Sequence, residues 1–286
     1  MGWRLRVVHT TKVRYTDPVR ASFNEVRMTP LTLPSQVVLE SKVSAGTGVP
    51  IWTYADYWGT SVSAFDITEP HQSLTIRTQA MVETGQVISD LPPLLSWEEI
   101  RAQAPSGRLL EFLLPTPLTT VTPAVAGTVM DALHGTGQGG ANPVEAAGQI
   151  AAGVRAQVAY MAGSTGVRTN AQEAWEQGQG VCQDMAHVTV ALLRAAGLPA
   201  RYVSGYLHAD PDAAPGQTLV GESHAWVEYW AGSWLPLDPT SGAEVRERHV
   251  VVARGRDYAD IPPLRGIYHG APTSTAEVSV EITRLA

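Results

Sequence analysis

Hydrophobic periodicity changes twice along this chain, and that change restricts the fold more than any other feature. From Leu5 through Val7, His9, Thr11, Val13 and Tyr15, residues alternate with period two, the signature of a half-buried strand; Leu74, Ile76, Thr78, Ala80 and Val82 repeat it. Val37 to Val43 and Val62 to Ile67 read as shorter strands, with turns at Thr16-Asp17-Pro18, Gly46-Thr47-Gly48 and Pro70. Residues 1–85 are therefore expected to form an antiparallel β domain or sandwich. Helical signals follow. Ser96 before Trp97-Glu98-Glu99 has the form of a capping box, and Asn142-Pro143 offers an N-cap and a first-turn proline for a helix to about Tyr160. Gly135 to Ala141 reads as a loop between helices, which dominate to Ala196. Strands return after Gly197, at Ala200–Leu207, Ser223–Trp230, Trp234–Leu237, His249–Ala253 and Val278–Leu285. Residues 86–286 are thus expected to be a second domain with helices first and an antiparallel sheet after, an α+β layout.

Bulk properties exclude several functions. The chain has 286 residues, enough for two domains, and 44% apolar residues, enough to fill their cores. Against 27 acidic residues stand 20 basic ones, a net charge of −7, and no run of Arg or Lys could neutralise phosphates; nucleic acid is not an expected partner. No charged stretch followed by an apolar core opens the chain, and no apolar run approaches the ~20 residues that span a bilayer. The expectation is a cytoplasmic protein with no membrane partner. No His-Glu-x-x-His, calcium-loop spacing, phosphate loop or Gly-x-Ser-x-Gly elbow is present, so neither a metal nor a cofactor is expected. Arg256 and Asp257 are candidates for an internal ion pair, and Trp52, Tyr54, Tyr57 and Trp58 form an aromatic cluster that reads as core or edge packing before it reads as a binding patch.

A single cysteine rules out an intramolecular disulfide, so Cys182 is either a small buried hydrophobe or a working thiol. Gly178-Gln179-Gly180-Val181 leads from a glycine-rich approach into Cys182, and the apolar run Val188 to Ala196 stops at Gly197. Cys182 is therefore expected at a helix start. Unpaired N–H groups and the positive end of the helix dipole favour a thiolate there and offer a donor to an oxyanion. The glycines are expected to leave room for substrate. His187 is nearby in sequence, but five residues of helix turn its ring about 140° away, and it reads as a helix-packing or hydrogen-bonding residue.

A better base lies in the strand Ser223-His224-Ala225-Trp226-Val227-Glu228-Tyr229-Trp230, which returns through Ser233-Trp234-Leu235-Pro236-Leu237-Asp238-Pro239. Register decides whether Asp238 serves His224. A two-residue turn at Ala231-Gly232 would put Asp238 opposite Ala225, on the wrong face; a three-residue turn of Trp230, Ala231 and Gly232, with glycine in the left-handed position, puts it opposite His224. The second register gives an imidazole oriented by a carboxylate.

The blocks Gly180-Val181-Cys182-Gln183-Asp184, Pro199-Ala200-Arg201-Tyr202-Val203-Ser204-Gly205-Tyr206, Ser223-His224-Ala225-Trp226-Val227-Glu228 and Leu237-Asp238-Pro239-Thr240 closely resemble the bacterial transglutaminase-like superfamily. Ala253 to Pro263 with Gly266 resembles its C-terminal signature, and Asn24 to Pro30 with Glu69-Pro70-His71 resembles its accessory β domain. The segment Asp56-Tyr57-Trp58-Gly59-Thr60 departs from the pattern of that accessory domain. The resemblance implies a papain-like core in which Cys182, His224 and Asp238 occupy the positions of a catalytic triad. It further implies a cysteine-dependent acyl transfer on a protein or peptide amide. Hydrolysis of the thioester needs the fewest assumptions; transfer to an amine, and peptide binding without turnover, are the alternatives. Tyr160 and Gln177 are candidates for a second oxyanion donor. Trp226 and Trp230 are candidates to wall an acceptor channel.

Overall fold

Trp3–Val19 forms one long strand, β1, whose buried and exposed residues alternate as its sequence predicts. The computed structural model describes residues 2–85, 92–134, 141–221, 223–270 and 272–286; most of the expected glycine-rich loop, 135–140, lies outside them. After β1 come β2 (Ala21–Val26), β3 (Gln36–Ser44), β4 (Trp52–Ala55), β5 (Ser61–Ile67) and β6 (His71–Thr84). The helical stretch holds α1 (Trp97–Gln103), α2 (Pro123–His134), α3 (Pro143–Gln157), α4 (Ala171–Gln177) and α5 (Cys182–Ala195), with β7 (Ala159–Tyr160) and β8 (Gln179–Gly180) as a short parallel pair. The chain then forms β9 (Ala200–Leu207), β10 (Thr218–Gly221), β11 (His224–Trp230), β12 (Trp234–Leu237), β13 (His249–Gly255), β14 (Leu264–His269) and β15 (Ser274–Arg284). The expected capping box at Ser96 is present, and the expected N-cap Asn142 precedes Pro143 and also completes a capping box with Glu145. Among the described residues no helix is long and apolar enough to cross a membrane.

Besides the β7-β8 pair, three sheets organise the described strands, in the orders β10-β15-β1-β6-β3, β14-β2-β5-β4 and β12-β11-β9-β13. The first two sheets face each other across Val13, Tyr15, Val26, Phe65, Leu74 and Ile76, a sandwich core. The other halves of β1 and β6 do different work: Leu5, Val7, Ala80 and Val82 belong to the main core around α5. One alternating face of one sheet thus serves two cores along its length.

The C-terminal strands depart from the division expected at residue 85. Ser274–Arg284 does not join the sheet of β11; it pairs along β1 from Leu5 opposite Arg284 to Tyr15 opposite Ser274, and β14 pairs with β2. The period-two pattern of Val278, Val280 and Ile282 specifies a half-buried strand but carries no information about its partner. Arg256 also pairs differently from the expectation. Its guanidinium binds Asp260 at 2.9 Å, whereas Asp257 caps the following turn by accepting the Ala259 N–H.

Helix α5 lies buried against β11 and β9, with Met185, Ala186, Val188, Val190, Leu192 and Leu193 in the main core. Its C-terminal end is fastened by Arg194, whose guanidinium donates to the Ala200, Leu114 and Arg256 carbonyls and to Thr119 Oγ1. On the far side of β9, Gly205 sits opposite His224 and also beside β13. A Cβ there would stand 2.1 Å from the Val250 carbonyl oxygen and 2.5 Å from the Trp226 ring. Because the first of those atoms is backbone in a sheet, no side-chain rotation relieves the clash. Gly205→Ala should therefore destabilise the protein at or beyond the upper end of the ~1–3 kcal/mol typical of overpacking. Urea unfolding of the two proteins measures this, and equal midpoints would contradict the close approach.

Candidate active site

Cys182 is the first residue of α5, as its sequence predicts, and follows Val181, an N-cap in extended conformation. The first-turn N–H groups of a helix have no intrahelical acceptor, which leaves donors at the helix start beside the thiol. The helix start is braced by Asp184, which accepts the Val181 N–H at 2.8 Å and the Thr165 hydroxyl. Burial raises the Asp184 carboxyl above its ordinary range, against those hydrogen bonds. This packing revises the role expected for the glycines. Gly178 caps α4 at φ +65°, and a Cβ on Gly180 would lie 2.8 Å from Asp184 Cβ, so Gly180 makes room for the bracing carboxylate and not for substrate.

His224 opens β11 and places Nε2 3.0 Å from Asp238 Oδ2. The hairpin has a three-residue turn with Gly232 at φ +98°, but the turn is Ala231-Gly232-Ser233, one residue later than expected, since Trp230 pairs with Trp234. Continued past the last pair, Val227 with Leu237, that register sets Asp238 across from Trp226. Asp238 keeps the face of His224 and reaches it diagonally, a distance that cross-strand neighbours two residues apart can bridge. The Trp226 ring, fully buried, stacks beneath the imidazole at 6.0 Å and 27°. With Nε2 committed to Asp238, Nδ1 is the ring atom left to meet the Cys182 thiol, whose proximity helps to raise the pKa of the ring.

Electrostatics follow from these contacts. Burial alone would lower the His224 pKa, but hydrogen bonds to Asp238 and Cys182, and their charges, outweigh it and raise the ring to about 9. Burial would likewise raise Asp238, yet its hydrogen bonds to His224 and His249, the His224 charge and Ser241 hold it well below the usual carboxylate range. Asp238 Oδ1 accepts the Thr240 N–H at 2.9 Å, and Oδ2 accepts the Ser241 hydroxyl at 2.7 Å. His187 lies elsewhere: fully buried, it accepts the Tyr258 N–H at Nε2, and burial first, with Arg194 beyond it, holds its pKa down to about 3.

Two partners of Asp238 escaped the sequence reading. Ser241 was legible in principle, because Asp-Pro-Thr-Ser is a sequence in which an Asp side chain caps its own turn. His249, 3.5 Å from Oδ2, comes from β13 and has no local signal. The ligand-type atoms of His224, Asp238 and His249 lie within 4.8 Å of one another, and the carboxylate oxygen already takes a hydrogen bond from each ring.

Cys182 and His224 open on a cleft of about 850 Å³. An apolar part of its lining comes from Leu219 and Val220 of β10 and Val278, Val280 and Ile282 of β15; Tyr160 also lines it, but Gln177 does not. His9 and Thr11 of β1 are a polar part of that lining, with His9 Nδ1 2.9 Å from the Tyr206 hydroxyl and the ring kept neutral by burial, its pKa about 4.

Comparison with known proteins agrees with this architecture. Residues 132–239 match the family model of the transglutaminase-like superfamily, and residues 5–83 match that of the bacterial transglutaminase-like N-terminal region. An uncharacterized protein of Mycobacterium leprae is 42% identical over 286 residues, 99% of this chain and 100% of that protein. A protein-glutamine gamma-glutamyltransferase of Pseudomonas aeruginosa is 45% identical over 104 residues, 32% of this chain and 15% of the enzyme. The fold superposes with a TM-score of 0.77 on a crystal structure from Cytophaga hutchinsonii, assigned provisionally as a cysteine protease; 100% of this chain and 92% of that one are covered. At 22% identity the latter likeness is one of fold.

The raised His224 pKa has a measurable sign. Against about 6.5 in the unfolded chain, a folded value of about 9 means that protonation of the ring stabilises the fold fully below pH 6.5. That contribution is lost as pH rises through about 9. The gap in unfolding free energy between wild type and His224→Gln should thus narrow from about pH 6 to about pH 9.5 in urea titrations; a constant gap would show that the ring is not held as an imidazolium. Alkylation of Cys182 by iodoacetamide should also slow in His224→Ala.

Proposed function

The chain belongs to the transglutaminase-like superfamily, and on that premise we propose that it is a cysteine-dependent acyl-transfer enzyme for peptide or isopeptide amides, with hydrolysis as its main outcome. The observation that carries the proposal is the His224–Asp238 hydrogen bond at 3.0 Å beside a thiol at a helix start, with Cys182 and His224 lining one cleft and Asp238 buried against the ring. Cys182 Sγ attacks the amide carbonyl carbon, and the oxygen gains charge within reach of the first-turn N–H groups of α5. The C–N bond then breaks while His224 Nδ1 passes its proton to the leaving amine, producing a thioester and a free amine. Water attacks the thioester while His224 accepts its proton, and the C–S bond breaks as that proton returns to the departing sulfur, giving a carboxylic acid and the thiol. Asp238 holds the ring in the tautomer and orientation that both steps need.

Cleft shape supports a peptide substrate. A volume of about 850 Å³ with an apolar wall and a few polar groups suits several residues of an extended chain. Transfer to an amine requires the thioester to be shielded from water. Trp226, a candidate wall for such a channel, lies wholly buried under His224 against Val203 and Val251, which supports hydrolysis. The 45% identity to the Pseudomonas aeruginosa transferase over 104 residues favours transfer as the second reading.

Turnover of a glutaminyl peptide and of an unmodified peptide, with and without a large excess of a fluorescent primary amine, separates the two. Free acid should be the main product, and predominant incorporation of amine at modest concentration would reverse the ranking. Asp238→Asn should lower kcat by roughly 10³–10⁴-fold, by analogy with loss of the orienting carboxylate in other triads. Undiminished turnover in that variant would remove Asp238 from the mechanism.

A further inference from the structure

At the end of β11 away from His224, on the same face of the sheet, three guanidinium groups surround a second cavity. Arg201 of β9, Arg254 of β13 and Arg108, from the segment between α1 and α2, line a volume of about 190 Å³ together with Trp58, Phe112 and Trp234. One buried carboxylate, Glu228, serves two of the three: it accepts from Arg201 Nε at 2.6 Å and from Arg254 Nη2 at 2.8 Å. Arg108 donates to a neutral acceptor, the Tyr57 carbonyl. Three cations therefore face one anion. Charged groups near the rim reduce the excess to one cation, because Arg256 is paired with Asp260 while Glu111, which accepts the neutral Tyr57 hydroxyl, keeps its negative charge.

Stacking fixes how these groups present their donors. Arg201 lies over the Trp234 ring at 4.0 Å and Arg108 over the Tyr57 ring at 4.8 Å, so their flat faces are occupied and their N–H edges are held in plane. Among the described residues, none of the hydrogen bonds formed by the three side chains uses Nη1. Burial, offset by Glu228 but deepened by the neighbouring Arg254, draws the Arg201 guanidinium down to about 10. Two guanidinium groups partly out of water around a single carboxylate are costly unless further anionic charge joins them.

We propose that this cavity is a binding site for a small oxyanion, a phosphate or a carboxylate group, distinct from the cleft of Cys182. Its size decides the class of ligand: about 190 Å³ is below the ~300–1,000 Å³ of sites that enclose whole drug-sized molecules. It admits an inorganic ion or the anionic end of a larger molecule, with the edges of Trp58, Phe112 and Trp234 against whatever carries it. Planar guanidinium forks match both phosphate and carboxylate.

The test is calorimetric titration of the intact protein with inorganic phosphate and, separately, with acetate, ionic strength being held constant with chloride. Saturable binding of one anion is expected, and the anion preferred identifies the site as one for phosphate or for carboxylate groups. Arg108→Gln removes an exposed donor without opening the core and should weaken binding by about ten-fold, as expected for a lost charge-assisted hydrogen bond. Arg254→Lys keeps the charge, loses the fork and should weaken it as well. Cys182→Ala should bind as wild type does. Saturable binding by neither anion, undiminished affinity in both arginine variants, or loss of binding in Cys182→Ala would each overturn the proposal.

Discussion

A carboxylate removed from water must have its lone pairs filled, and at Asp238 that requirement organises three separate pieces of chain. Its side chain is wholly buried, a condition that costs several kcal/mol unless donors surround it. The donors come from β11 through His224, from β13 through His249, and from its own turn through Thr240 and Ser241. The strand end and the imidazole orientation thus converge on one satisfied charge. Glu228 repeats the logic farther along β11, binding Arg201 and Arg254. It is therefore not available to replace Asp238 beside His224.

The second organising feature is the length of β1 and β6. Each is long enough to face the sandwich core with one half and the core around α5 with the other. The return of β15 along β1 then places Val278, Val280 and Ile282 in the lining of the cleft onto which Cys182 opens. A wall of the Cys182 cleft is built from β15, and β10, inserted just before His224, extends the same sheet to its edge. Cleft shape and strand pairing are for that reason coupled: shifting the register of β15 by one residue would exchange its apolar wall for Ser279 and Glu281.

These relations explain what the sequence could and could not disclose. Alternation in β1 and β6, the capping box at Ser96, the N-cap at Asn142 and the helix start at Cys182 are local, because each is decided by neighbours within a few residues. The face shared by His224 and Asp238 was also readable, since the turn needs a glycine at positive φ and only Gly232 is available there. The one-residue displacement of that turn was not, because Trp230 stays in the strand through its pairing with Trp234 and a hydrogen bond to the Pro199 carbonyl. The partners of β14 and β15, the approach of His249 and the space Gly180 leaves for Asp184 all depend on chain that is distant or on packing volume. Period-two patterning does not encode any of them.

Two imidazoles share Asp238, and their environments drive them apart. His224 also meets the thiol, so that hydrogen bonds and charge on both sides overcome its burial and keep it protonated to about pH 9. His249 is buried as well, and its bond to Asp238 is longer; the charges of His224 and Arg248 oppose a proton there, so its pKa falls below the ordinary value. Its Nδ1 accepts the Arg246 N–H, which assigns the hydrogen of the neutral ring to Nε2 and directs it at the carboxylate. A neutral donor holds Asp238 in place without competing for its charge. The full negative charge is then directed at His224, the one ring that faces the thiol. That asymmetry, and not the number of groups around the carboxylate, is what allows a single buried Asp to orient one histidine and to keep it charged.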